Sequence, residues 1–539
     1  MKHAITRRGC AALCVALSLA LGCGCSLLPP ASEKPASSAP SIPTDANGQP
    51  LYDPTPLEDG LLRALYGYDG GSTTILCGSK VLYQGSRSEN LALLQDSITG
   101  ETNYWFRSWS DPTGRGGRRS ALYDKTGTAV MTFDGNQSAG LQNGLLVLQE
   151  APLVNGRYAD EASYGSCQVV DLATGQALPV PEGAYSCVVS GDKLVFNCYA
   201  RPAELAEDDW DTDYASHNWV VVQEKDGTQL CQFQATSVYG LSYVTQALGD
   251  WVELDTATDA DAAMDQALYN PSTGERYDDF SQTYSNGYVS FRTADGQYQL
   301  RDMTTPDRGV VAVFEDLPSH CFPGHVVTWR IYSDYGYDLH DLETGQVTPL
   351  YQADATDGSV AVYTKAGSLQ VYDSSTGALV VDTPVEPVEN QQSVLVNNCG
   401  SGYVWLELQD NDRYETTATR LYGPQGLVSD LTALQGKYGY INYLTTDPND
   451  RPMFCGIRSA VGSAYGNVCD VLDADGNVVL QGLSSCTGYY SNSLNALPDH
   501  VFAAQRGFYV GWMDTSGNWL YCQSIFSSAT ADDEPSYGY

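Results

Sequence analysis

The chain has 539 residues, with 28 Lys and Arg against 65 Asp and Glu, a formal net charge of −37 and a pI near 4.2. So large a negative excess opposes binding to nucleic acid, or to an anionic membrane through a basic patch, and favours solubility. The length exceeds one ordinary domain but suits a repeat array.

In chain order, Lys2, Arg7 and Arg8 precede an apolar run from Cys10 to Gly22, too short to span a bilayer as an ordinary helix. A charged start, a short apolar stretch and small residues at its end predict a secretory signal. The segment Leu19-Ala20-Leu21-Gly22-Cys23 resembles a bacterial lipobox, with Gly24-Cys25 a poorer second match. That resemblance implies lipidation of Cys23 and a signal peptide over 1–22, and more than one acyl chain, at ~0.8 kcal/mol per buried methylene, holds a membrane stably. The mature chain then carries 25 basic and 65 acidic side chains. Residues 23–58 are rich in Pro and Ser and predict a tether, and 528–539 predict a disordered acidic tail.

Between them, residues 59–527 repeat one phrase: a short strand, an Asp-led turn closed by Gly, and another short strand. Ser359 to Val381 shows it most clearly, with a Lys365-Ala366-Gly367 turn and then Asp373-Ser374-Ser375-Thr376-Gly377. Val360, Val362, Leu369 and Val371 alternate with Ala361, Tyr363, Gln370 and Tyr372, the period of half-buried strands. Asp can accept hydrogen bonds from the turn's own amides, and Gly supplies the left-handed residue. The phrase recurs ten or eleven times, from Gly100 to Gly517, mostly 40 to 52 residues apart. Gly100 and Gly127 stand closer together, as halves of one unit would. Each unit has at least three strands and a connecting strand. The expected fold is therefore all-β: a β-propeller-like repeat array of four-stranded antiparallel blades, as one continuous array or as two rings divided near residue 281.

The segment GSVAVYTKAGSLQVYDSSTGALVV resembles the quinoprotein-type, PQQ-like propeller repeat, and VVDLATGQALPV and LHDLETGQVTPL share its turn without its Trp. WMDTSGNWLY and LYDKTGTAV look equally like WG-type repeats. The resemblance covers most of 72–523 and implies an architecture rather than an activity. Quinoprotein dehydrogenases commonly carry adjacent cysteines at the cofactor, and this chain has none.

Eleven cysteines run from Cys77 to Cys522, with no zinc-type pair spacing. Most sit in strand-like contexts as small apolar residues, such as Cys187 and Cys198, which flank a turn at Gly191-Asp192 and could face each other across it. His320-Cys321-Phe322-Pro323-Gly324-His325 could bring two imidazoles and a thiolate near one ion, although an inter-strand turn with incidental histidines is the simpler reading. Arg115-Gly116-Gly117-Arg118-Arg119 is a basic stretch in an acidic chain, read as a turn. No nucleophile elbow is present, and catalytic residues are not expected.

Several units carry a long loop before the strand that enters the Asp turn: 151–166, 200–216, 256–265, 409–415 and 459–467. On a propeller these loops share one face. That face would carry Tyr158, Tyr164, Asp208, Asp209, Trp210, Asp211, Asp213, Tyr214, Asp410, Asp412 and Tyr414, aromatic anchors among carboxylates that suit a cationic peptide, a glycan or Ca²⁺. Asp209, Asp211 and Asp213 alternate as in a calcium loop, but Tyr214 and Val220 stand where its Gly and Glu belong. No cofactor is expected beyond such an ion.

These features predict an exported lipoprotein, held by its lipid on the outer face of the cell membrane or on the cell surface. Its β-propeller would act as a ligand- or protein-binding or scaffolding module, with a cell-envelope protein, a peptide or a glycan as partner and no nucleic acid. The alternative is an extracellular enzyme, glycan-active or quinoprotein-like, with its site on the propeller axis.

Overall fold

The computed structural model describes residues 57–525 apart from 67–72, 112–116, most of 151–164, 201–216, 241–247, 256–265, 331–335, 387–392, 411–414, 460–466, 488–496 and some shorter gaps. The described residues are overwhelmingly strand, arranged as antiparallel meanders of sequence neighbours. Eight sheets have four strands each, one has seven and one has three, beside a two-stranded hairpin formed by Leu153–Val154 and Arg157–Tyr158. In the seven-stranded sheet, Val347–Thr356 pairs on one side with Gly336–Asp341 and on the other with Ser359–Thr364. That single strand is the last of one four-stranded unit and the first of the next. Counted so, the described residues form eleven units, numbered here in chain order, the first of them three-stranded.

The recurrent phrase is the connection from third to fourth strand. Asp124, Asp171, Asn270, Asp302, Asp341, Asp373 and Asp514 each start this turn, between strands such as Ser368–Asp373 and Leu379–Pro384. The Asp373 carboxylate accepts hydrogen bonds from the backbone N–H of Ser375 at 3.0 Å and of Thr376 at 2.8 Å, and from both their hydroxyls. With little burial to oppose them, these donors bring Asp373 down to about 2. Gly377 closes the turn at φ +72°, where a Cβ would also meet the Pro323 carbonyl oxygen of the preceding unit. The turn therefore sets a hairpin and seats one unit on the next.

The Gly100 turn is different. It joins the first two strands of unit 2, Asn90–Gln95 and Thr102–Ser110, while Gly127 joins the last two, so the closely spaced pair belongs to one sheet. Asp96 at this turn accepts from Ile98 and Thr99 in its own turn, and from Asn143 at 2.9 Å and Gly144 at 2.7 Å in unit 3. Burial pushes this carboxyl up, but the N–H groups of Gly144, Thr99, Ile98 and Asn143 more than offset it and hold it below the usual range.

Strands expected to be half-buried are buried on both faces. All six residues of Ser359–Thr364 are buried. Val360 and Val362 join a cluster with unit 7, whereas Ala361 and Tyr363 join one with unit 9. The cause is face-to-face stacking of sheet on sheet, which leaves a central strand no solvent side. Fourth strands keep an exposed face, where Val310, Val313, Leu379, Val380 and Leu427 lie.

Among the described residues, eleven buried apolar clusters follow the chain, one between each unit and the next. Burying each Val or Leu in them stabilises by about 1.5–3 kcal/mol over leaving it exposed. One cluster joins Trp251 and Leu268 of unit 5 to Val289 and Phe291 of unit 6, on either side of residue 281. Another joins the ends: Leu65 and Leu76 of unit 1 meet Val501, Trp512 and Tyr521 of unit 11. The Thr74 hydroxyl donates to Gln523 Oε1 at 2.8 Å across the same boundary. The succession of sheets closes on itself.

Candidate functional site

In an antiparallel meander, connections alternate between the two ends of the strands. Each long loop singled out in the sequence joins a second strand to a third: Leu145–Glu150 to Ser166–Asp171, Lys193–Tyr199 to Asn218–Glu224, Val252–Asp255 to Gln266–Tyr269, Tyr403–Asp410 to Glu415–Gly423, and Pro452–Ser459 to Asn467–Leu472. In unit 8 the same connection is the Lys365-Ala366-Gly367 turn alone. The Asp turns, joining third to fourth strands, leave from the opposite end.

The residues proposed for this face are not described as side chains. Tyr158 and Asp410 are placed through their backbone only, at strand ends, paired with Leu153 and Glu415. Tyr164, Asp208, Asp209, Trp210, Asp211, Asp213, Tyr214, Asp412 and Tyr414 lie outside the described residues, as does Cys23.

Other expectations meet described residues. Cys187 and Cys198 do not face each other: Cys187 pairs with Phe196 and Cys198 with Ala184, because the turn pairs Ser190 with Lys193 and leaves the cysteines out of register. Both are free thiols. His320 and His325 lie on paired strands, Leu317–Phe322 and His325–Arg330, with only Pro323-Gly324 between them. His325 stacks on Phe322, and His320 is held below the usual imidazole range by burial. No metal-ligating group forms there among the described residues. Arg118 and Arg119 open the strand Arg118–Asp124 rather than lying in the turn, and Arg119 reaches Asp111 and Asp134, each at 3.5 Å.

A group that the spacing did not reveal lies between units 10 and 11. Cys455, Cys469 and Cys486 bring their sulfurs within 4.8 Å of one another, all three buried. Cys455 is on the second strand of unit 10 and Cys469 on the third, while Cys486 is on the first strand of unit 11, Ser485–Thr487. Cys455 pairs with Val471 and Cys469 with Ile457, so the two cysteines are diagonal neighbours on one sheet face. Cys486 approaches from the facing sheet. Around them lie Leu444, Met453, Val471, Phe502, Met513 and Cys522. Hydrogen bonds with Cys455 and Cys486, and then the backbone N–H of Cys486, hold Cys469 below the usual thiol range. The contact with Cys469 pushes Cys455 up, those with Cys455 and then Cys469 push Cys486 up, and burial adds to both. Diagonal strand neighbours have Cα atoms roughly 7–8 Å apart, beyond the reach of an unstrained disulfide. Three buried, converging sulfurs make a soft-donor set.

A family model described as a domain of unknown function, DUF5046, matches residues 273–533, which spans units 6 to 11. No curated protein matches the chain. Among solved structures, similarity extends to a eukaryotic initiation factor (12% identity, 67% of this chain and 93% of that one, TM-score 0.31). It extends also to BamB from Moraxella catarrhalis (12%, 65% and 91%, TM-score 0.26) and to Sqt1 from Saccharomyces cerevisiae (11%, 58% and 93%, TM-score 0.25). TM-scores of this size carry no argument about what the chain does.

Proposed function

We propose that the chain is an exported, lipid-anchored protein whose propeller-like array presents a binding face to a cell-envelope peptide, protein or glycan. One observation carries this reading: five loops differing in length and sequence all leave their sheets at the second-to-third connection. A rigid array with variable loops at one end is the arrangement in which binding residues vary while the scaffold does not. The loop sequences supply carboxylates and aromatic rings, chemistry that suits a cationic peptide or a sugar face. Lipidation at Cys23 would place the array at a membrane surface, with 23–58 as spacer.

The test uses the full chain. Residues 200–216 are replaced by a short turn with the sequence of Lys365-Ala366-Gly367, and wild type and variant are compared for binding to immobilised cationic peptides and cell-wall glycans. Binding that the variant loses at unchanged melting temperature supports the reading. Equal binding by both, or none by either, removes this face from the function. Fatty-acid labelling that disappears in Cys23→Ala tests the anchor separately.

A further inference from the structure

We infer that Cys455, Cys469 and Cys486 form a binding site for a single copper(I) ion, held by three sulfurs between units 10 and 11. Convergence is the first observation: all three sulfurs lie within 4.8 Å of one another, close enough for one ion between them to be shared by all three. The second is the donor type. The described metal-ligating group contains sulfur alone, and Met453, Met513 and Cys522 share its cluster, so carboxylate and imidazole are missing from the set. Soft thiolate donors select Cu(I) and Zn(II) and disfavour Mg²⁺ or Ca²⁺.

Coordination number separates the two soft ions. A structural zinc site is almost always four-coordinate and tetrahedral. Here three ligands come from two facing strand surfaces, Leu444, Val471 and Phe502 share their cluster, and Cys522, the fourth buried cysteine of that cluster, does not join the converging group. Asp470 follows Cys469 directly, but its side chain is turned to the other sheet face and taken by Tyr438 and Arg458. A d¹⁰ monovalent ion is satisfied by three sulfurs.

The step conserves oxidation state. Three Cu–S bonds form, the thiol protons leave to solvent, and copper remains Cu(I). Proton release on loading is therefore a direct signature.

The same chain supplies its own control. Cys167, Cys187 and Cys198 share a buried cluster between units 3 and 4, yet form no such group among the described residues. The full chain, reduced and without oxygen, is loaded with Cu(I) and challenged with a chromophoric Cu(I) chelator. One equivalent is expected to resist the chelator in wild type and in the C167A/C187A/C198A variant. It is expected to be lost from C455A/C469A/C486A, with X-ray absorption of the loaded wild type showing copper bound by three sulfurs. Should the triple variant fail to fold, Cys486→Ala alone, on the short first strand of unit 11, gives the same reading. The inference is overturned if wild type retains no copper, or if a folded variant of the 455/469/486 set retains as much. It is equally overturned if the site holds Zn(II) four-coordinate in preference to Cu(I).

Discussion

Two cores of this molecule gather buried cysteines, three in one and four in the other, and they use them differently. Between units 3 and 4, Cys167, Cys187 and Cys198 pack with Val169, Leu194 and Phe196. Burial pushes Cys167 and Cys198 each up to about 12 and holds Cys187 well above the usual thiol range. They behave as small apolar side chains. Between units 10 and 11, the same residue type at the same depth converges, and one sulfur is pushed the other way. Burial is alike; register differs. Cysteine chemistry in a sheet stack is decided by which strand pairs place sulfurs on facing surfaces.

The largest expected effect tests whether the two cores are separate. Phe196 and Phe502 are both fully buried, one in each cluster. Phe196→Ala and Phe502→Ala should each cost about 3–5 kcal/mol. Hydrogen exchange should show the loss confined to units 3 and 4 in the first variant and to units 10 and 11 in the second. Equal loosening of both cores by either variant would mean that the ring opens as one body.

Next come two buried carboxylates, one serving each region. Asp96 ties unit 2 to unit 3, and in unit 10 Asp470 accepts from Tyr438 at 3.0 Å, Arg458 at 3.1 Å and the Gly482 N–H at 3.2 Å. Burial raises Asp470, but Arg458, Gly482 and Tyr438 together hold it below the usual carboxylate range. Replacing either Asp by Ala should cost about 2 kcal/mol, because backbone donors lose their partner. Both folded-state values lie below the unfolded one. The stabilisation is therefore present above the ordinary carboxylate pKa and lost as pH falls through it towards the folded value. Acid titration of stability should be shallower in each variant, and unchanged slopes would show that these carboxylates do not drive the acid response.

Alkylation rates sharpen the contrast between the thiols themselves. Between pH 6 and 9, Cys167 and Cys198 should react about tenfold faster per pH unit, since only the thiolate attacks and both values lie near 12. Cys469, held below the usual thiol range, should show a shallower pH dependence. Parallel profiles for all three, measured by mass spectrometry of native protein, would mean that they react through a common opened state. The smallest effect is expected from Cys198→Ala and Cys486→Ala, each about 1 kcal/mol in denaturant unfolding of the metal-free protein. A much larger cost at Cys486 would show that the sulfur cluster holds units 10 and 11 together by itself.

The fold was largely legible because its turns repeat. Asp373, Asp341 and Asp171 each announce a third-to-fourth connection, and the alternation around Val360 marks strands. What could not be read was which sequence neighbours face each other between sheets. Ser359–Thr364 looked half-buried because alternation reports one sheet, whereas burial here comes from two neighbours. Cys455, Cys469 and Cys486 carry no short spacing, since two come from different strands of one sheet and the third from the next sheet. Only the pairing of Ile457 with Cys469 and Val471 with Cys455 puts the first two on one face. The second-to-third loops were legible as a set of positions, because their place before each Asp turn is a matter of chain order alone.

The contact between units 1 and 11 makes the order of the units along the chain arbitrary with respect to the ring. Leu65 and Leu76 meet Trp512 and Tyr521 much as any unit meets its successor, so the break between first and last is a matter of synthesis rather than of architecture. Open solenoids need polar end units to cover their exposed cores; here each end covers the other. A circular permutant, with residues 59 and 525 joined by a flexible linker and new ends placed in the Thr364–Ser368 turn, should fold to the same ring of sheets.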